Sequence, residues 1–144
     1  MDKNPNLRVT VGRDYLIKPD VVVGLVGTPT ASTQPWMHAA VSCKWTIRSD
    51  RIQNIRHEFG QMVRHRRGRQ PHLITVTAEP LPTRLASIAR GTGEVDAMYH
   101  VAFDELAAAV SASKNTGQQE AWGEVVDQGR LRDYNTLSAA LRYW

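Results

Sequence analysis

The chain has 144 residues and a formal charge of +4, with 18 Lys and Arg against 14 Asp and Glu, and its 42% hydrophobic content suits one domain with a core. Cys43 is the single cysteine, which excludes an internal disulfide and a cysteine-built zinc site. No signal peptide and no apolar run of membrane-crossing length is present, so a cytoplasmic protein is expected, one domain over 1–144 with its core at about 7–110.

Residues 1 to 6 are polar. Leu7 to Val11 alternates apolar and polar residues and predicts a strand, and Gly12-Arg13-Asp14 turns into a second strand over Tyr15 to Gly24. Pro19 marks an edge or irregular point of that strand, beside Asp20 and the buried type of run Val21-Val22-Val23. An ionised carboxylate next to such a run needs a partner. Gly27 to Pro35 has loop chemistry throughout, and a third strand is expected over Ala39 to Ile47, with Lys44 inside it. Ser49 or Asp50 is the expected cap of the next helix, in which Ile52, Ile55, Phe59, Met62 and Val63 recur at helical spacing. Glu58 falls at the margin of that apolar face. Arg56, Arg64 and Arg67 fall elsewhere and are expected to stay solvated.

His72 to Ala78 predicts another strand. Pro80-Leu81-Pro82-Thr83 leads into a short helix with Thr83 as its cap and Arg84 in its first turn, ended by Gly91-Thr92-Gly93. Asp96 to Val101 reads as a short strand, Asp104 to Val110 as an alanine-rich helix, and Ser111 to Gln119 as a polar linker. From Glu120 to Trp144 packed irregular and helical structure is expected, burying Trp122, Val125, Leu131, Tyr134, Leu137 and Leu141.

The positive charge is concentrated. Lys44 to Arg69 holds eight basic residues (Lys44, Arg48, Arg51, Arg56, Arg64, Arg66, Arg67, Arg69) against Asp50 and Glu58, more than the surplus of the whole chain. A focused, arginine-rich face is the electrostatic footprint of a nucleic-acid binder, and charge alone fits a solvated helix face equally well. Asp20, Lys44 and Glu58 can be drawn together at the rim of a sheet. Two carboxylates beside a lysine can hold Mg²⁺ and set a water by a scissile phosphate. Taken singly, Asp20 also reads as a turn acid, Lys44 as a strand-edge lysine and Glu58 as a partner of Arg51 or Arg56. His38, His57, His65, His72 and His100 have no ligand spacing and read as surface or satisfied core side chains.

Pro19-Asp20, then Ser42-Cys43-Lys44-Trp45-Thr46-Ile47-Arg48-Ser49-Asp50-Arg51, then Glu58 together resemble the NgoMIV group of type II restriction endonucleases, CCGG-reading members of the PD-(D/E)xK nuclease superfamily. In that group serine, here Ser42, stands where the superfamily has an acid two residues before the lysine, and a glutamate on the next helix, here Glu58, takes over that acid's role. The resemblance implies a restriction-endonuclease-like α/β core, a mixed central β-sheet flanked by α-helices. It implies Asp20 as main metal ligand, the Cys43 carbonyl as another, Lys44 orienting or activating water, and Glu58 holding metal-bound water. Arg48 and Arg51 resemble the pair that donates to the two guanines and Asp50 the acceptor for cytosine, with Ser49 between them, a pairing that matches what those base edges offer. The resemblance extends through His72 to Leu106, where Arg84 falls at the position that contacts the outer base pair of a GCCGGC-type site.

Two departures stand out: the loop from Gly24 to Ala39 is short for the group, and the group's N-terminal helical region has no counterpart. The implied function is a Mg²⁺-dependent endonuclease of a restriction-modification system, acting on double-stranded DNA at a CCGG-centred palindrome as a homodimer or homotetramer. The alternative is a catalytically impaired, sequence-specific DNA-binding remnant of such an enzyme.

Overall fold

The fold is that of a computed structural model, which describes residues 17–25, 36–66, 68–91 and 93–143. The strand expected over Leu7 to Val11 and the loop over Gly27 to Pro35 lie outside these residues. Five strands form one sheet in the order β1 (Val21–Leu25), β2 (Trp36–Lys44), β3 (His72–Thr77), β4 (Ala97–His100) and β5 (Leu131–Asp133). β1 runs antiparallel to β2, and β2 to β5 are mutually parallel. Met37 to Ser42 and all of β4 are buried, the continuous burial that a parallel sheet covered on both faces imposes.

Register aligns the carboxyl ends of the parallel strands. Lys44 pairs with Thr77, Thr77 with His100 and His100 with Asp133, so these four residues form one row across the sheet. β2 starts and stops earlier than the expected Ala39 to Ile47, which puts Lys44 at its last position. The reason lies beyond the strand: the Ile47 N–H is taken by the Glu79 side chain, so the chain leaves the ladder at Trp45. β1 likewise begins only at Val21, after Pro19, which has no N–H to give a ladder.

Helix α1 (Ser49–His65) buries Ile55, Phe59 and Met62, as the apolar spacing requires. Its cap is Arg48, without a side-chain bond, rather than Ser49 or Asp50, and Asp50 instead sits in the first turn, where its charge suits the helix dipole. Helix α2 (Pro82–Ala89) is preceded by Leu81, not capped by Thr83, because Pro82 itself occupies the first turn, where a missing N–H costs nothing. Thr83 serves a different contact: its N–H donates to Gln118 Oε1 at 3.0 Å, and its hydroxyl accepts from Gln118 Nε2 at 3.1 Å.

Helix α3 (Phe103–Ala112) and helix α4 (Thr116–Asp127) leave only 113–115 between them. The expected linker over Ser111 to Gln119 is therefore mostly helical. Asn115 accepts from the Gln118 N–H at 3.2 Å, and this cap starts α4 inside the polar stretch. β5 was also not expected, since three residues carry no periodic signal. A 3₁₀ turn (Tyr134–Thr136) and helix α5 (Leu137–Arg142) follow, and Tyr134 is 46% exposed rather than buried.

The larger core joins Ala40, Leu73, Met98 and Leu131 of the sheet to Phe59, Leu85, Ile88 and Val125 of the helices. On the opposite face Val41, Ile74, Val76 and Tyr99 are covered by Leu137, Ala140 and Leu141. His38 Nε2 donates to the Leu141 carbonyl at 2.8 Å and ties that cover to β2. No helix of the described residues is long and apolar enough to cross a membrane.

Candidate active site

The antiparallel pairing of Val21 with Val41 carries Asp20 to the far end of β2. There one oxygen, Asp20 Oδ2, accepts the Cys43 N–H at 2.6 Å and Lys44 Nζ at 3.1 Å. Both charged side chains are partly open to solvent, Lys44 at 27% and Asp20 at 44%, so the pair contributes little to stability. The second oxygen of Asp20 takes no hydrogen bond from the described residues.

Glu58 reaches the same neighbourhood from α1. Burial pushes its carboxyl above the usual carboxylate range; the Asp20 charge adds to the rise, while Lys44 and then His57 oppose it. A Glu58 carboxylate whose ionised form is opposed by burial and by the Asp20 charge makes a site that a hard divalent cation would relieve. Among the described residues no cluster of three or more His, Cys, Asp or Glu side chains could hold a metal. Asp20 and Glu58 could offer two carboxylates, with backbone oxygen beside them, a set of the kind that suits a hard, oxygen-seeking divalent cation.

The neighbours of Lys44 differ in what they can do. Burial, and then the Asp20 charge, push the Cys43 thiol upward, although Lys44 opposes them, so the sulfur is a poor nucleophile. Ser42 is only 1% exposed, and among the described residues its hydroxyl has no hydrogen-bond partner, like Thr75 Oγ1 of its register partner.

Lys44 is followed by a turn that presents a second set of side chains. Arg48, Ser49 and Asp50 are exposed at the start of α1. Arg51 is half-buried and folds back, donating from Nη1 to the Thr46 carbonyl at 3.0 Å and to its hydroxyl at 3.3 Å. Arg56 departs from the solvated position expected of it: Nη2 donates to the Ser87 carbonyl at 2.6 Å and clamps α1 to α2.

Arg84, at the start of α2, joins this group through an intermediary. It is 45% exposed and its Nη1 lies 3.5 Å from Oε2 of the buried Glu79, the oxygen that accepts the Ile47 N–H at 2.6 Å. Glu79 has no role in the reading from sequence. The signal available for it was an acid inside the otherwise uncharged link from a buried strand to a proline-started helix.

The model of the NgoMIV restriction enzyme family matches residues 27–142. The type II restriction enzyme NgoMIV of Neisseria gonorrhoeae is 39% identical over 159 residues, an alignment covering 94% of this chain and 56% of that enzyme. The chain thus spans little more than half the length of that curated relative. A solved complex of restriction endonuclease PspGI with substrate DNA superposes at a TM-score of 0.43 with 11% identity, covering 72% of this chain and 38% of the other. With four-fifths of its length matched by the family model and the Asp20, Lys44 and Glu58 side chains gathered at one end of the sheet, the chain belongs to the NgoMIV restriction enzyme family.

Proposed function

We propose that the chain is a single nuclease domain, acting in the cytoplasm, of a Mg²⁺-dependent type II restriction endonuclease that cuts double-stranded DNA at a CCGG-centred palindrome. The observation that carries this reading is the contact of Lys44 with Asp20, with Glu58 in electrostatic reach and Arg48, Asp50 and Arg51 on the turn that follows.

Asp20, Glu58 and the Cys43 carbonyl would hold the metal ion. When bound, Mg²⁺ would acidify water and offset charge on the phosphate. Lys44 has three donors, of which one is directed at Asp20; the others, with no bond to the described residues, would hold the attacking water and a phosphate oxygen. Water adds to phosphorus as the bond to the 3′ oxygen breaks, leaving a 5′-phosphate and a 3′-hydroxyl. Ser42 occupies the strand position between Val41 and Cys43 as a neutral residue, so the site carries one fewer negative charge than an acid there would give it. Arg48 and Arg51 would each fork onto guanine O6 and N7, Asp50 would accept from cytosine N4, Ser49 would line the same turn, and Arg84 would read the outer base pair. Cutting both strands of a palindrome calls for at least a homodimer.

Plasmid digestion with Mg²⁺, beside a Lys44→Ala control and with the ends mapped, tests the reading. Discrete cuts at CCGG-centred sites that vanish in the control support it. Neither binding nor cutting of CCGG duplex under any divalent-metal condition sinks it, and binding without cutting supports the DNA-binding remnant instead.

A further inference from the structure

Glu79 lies outside the cluster of Asp20, Lys44 and Glu58 and is 0% exposed. Acids are almost never fully buried unless paired. Here the pairing is complete: Ile47 N–H donates to Oε2 at 2.6 Å, Leu81 N–H to Oε1 at 3.2 Å, and Arg84 Nη1 sits 3.5 Å from Oε2. Its own backbone is held too. The Glu79 N–H donates to Thr77 Oγ1 at 3.1 Å, and the Glu79 carbonyl accepts from His100 Nε2 at 3.1 Å. Ala102 N–H donates to Nδ1 of that buried ring at 3.1 Å, which leaves Nε2 as the protonated nitrogen.

These bonds connect two turns that leave the same end of the sheet. The turn from β2 to α1 holds Trp45 to Arg48, and the turn from β3 to α2 holds Ala78 to Leu81. Ala78 N–H donates to the Trp45 carbonyl at 3.2 Å, and Glu79 takes the Ile47 N–H two residues later. Ile47 stands midway between Lys44 and Arg51. Its amide bond to Glu79 therefore ties the link between the lysine strand and the arginine-bearing helix start to the neighbouring turn.

We propose that Glu79 is a positioning residue for sequence recognition: it fixes the Arg48 to Arg51 turn against the sheet and, through the same carboxylate oxygen, aligns Arg84 with it. This rests on the function proposed above. Forked arginine contacts weaken steeply with misalignment, so a small rotation of the turn loses them while contacts to phosphates, which accept many geometries, survive. The side chain touches no base in this scheme, and its effect is on discrimination rather than on binding as such.

Glu79→Gln tests this, because the amide keeps the shape but can accept on only one side and must face one backbone N–H with its own NH₂. Two readouts are needed. Amide hydrogen exchange should show Ile47 as protected as the core strands in the unaltered chain, and 45–51 losing protection in the variant while β3 and β4 keep theirs. Competition binding should show the preference for a CCGG duplex over one with a single altered base pair falling about tenfold, the value of one base contact, with affinity for unrelated duplex unchanged. Unchanged exchange at 45–51, or loosened exchange with preference intact, overturns the proposal. If the variant does not fold, rapid exchange of the Ile47 amide in the unaltered chain overturns it and slow exchange supports it. An unaltered chain with no CCGG preference defeats the recognition reading itself, and the exchange data then still decide whether Glu79 holds the turn.

Discussion

Lys44 Nζ lies 3.1 Å from Asp20 Oδ2, and the same oxygen accepts the Cys43 N–H at 2.6 Å. The backbone bond holds the carboxylate in place whether or not the lysine is present. Loss of Lys44 should therefore leave Asp20 positioned and remove only the ammonium. For Lys44→Ala the expected outcome is a fall in cutting of about 10²-fold or more, the range for deleting one electrostatic contact to the reacting group. Affinity for CCGG duplex should stay within a few-fold. Nicking assays and filter binding on the same preparation check both.

Glu58 should impose a pH dependence. Its folded pKa is raised, chiefly by burial, so the folded state holds a proton that the unfolded chain has already lost. The favourable contribution is full below the ordinary carboxylate value and is lost as pH rises through the raised one. Glu58→Gln should thus flatten the fall in thermal stability over that window. If Glu58 must ionise to attract the cation, the same variant should also lose the rise in cutting rate with pH. A parallel pH profile in variant and parent would defeat this assignment.

Arg48 and Arg51 should separate in mutagenesis. Arg48 is exposed at the helix cap, so Arg48→Ala should cost about 1–3 kcal/mol of discrimination between CCGG and single-substitution sites with little change in melting. Arg51 also braces the Thr46 carbonyl, so Arg51→Ala should lose discrimination and destabilise the turn by a further ~1 kcal/mol. Binding competition and urea unfolding distinguish the two effects.

Cys43 should be slow to alkylate. Burial and the Asp20 charge hold the thiol protonated past the ordinary cysteine range, and only the thiolate reacts. Iodoacetamide labelling should have its half-maximal rate at a higher pH than a free cysteine peptide. Asp20→Asn should shift that midpoint down, and an unchanged midpoint would contradict the electrostatic cause.

Gly68, just past α1, has φ +106, and a Cβ built on it would lie 2.6 Å from Trp36 Cζ3. Gly68→Ala meets both the strained dihedral and the ring. A loss of about 1–3 kcal/mol in urea unfolding is expected.

Much of the architecture was legible from local pattern. The spacing of Ile55, Phe59 and Met62 specifies α1 because a helix returns to one face every three to four residues, and the run Leu73-Ile74-Thr75-Val76 specifies a strand buried on both faces. Neither Ser49 or Asp50 nor Thr83 caps its helix as expected, and Asn115 caps α4 inside a stretch expected to be a linker, because any small polar residue near a helix start carries the same signal and only the observed backbone selects which one acts.

The sequence by itself determined the family pattern, the concentration of positive charge between Lys44 and Arg69, and the presence of an acid ahead of the valine run. Those are properties of residue type and order. Only the tertiary structure decided that Asp20 meets Lys44, that Glu58 feels both, that Arg56 clamps α2 instead of facing solvent, and that Glu79 joins Ile47 to Arg84. Each of these joins residues on different elements. The physical reason is that a carboxylate's partners are set by which strand ends lie side by side, and strand order and register come from burying a whole sheet rather than from any local stretch.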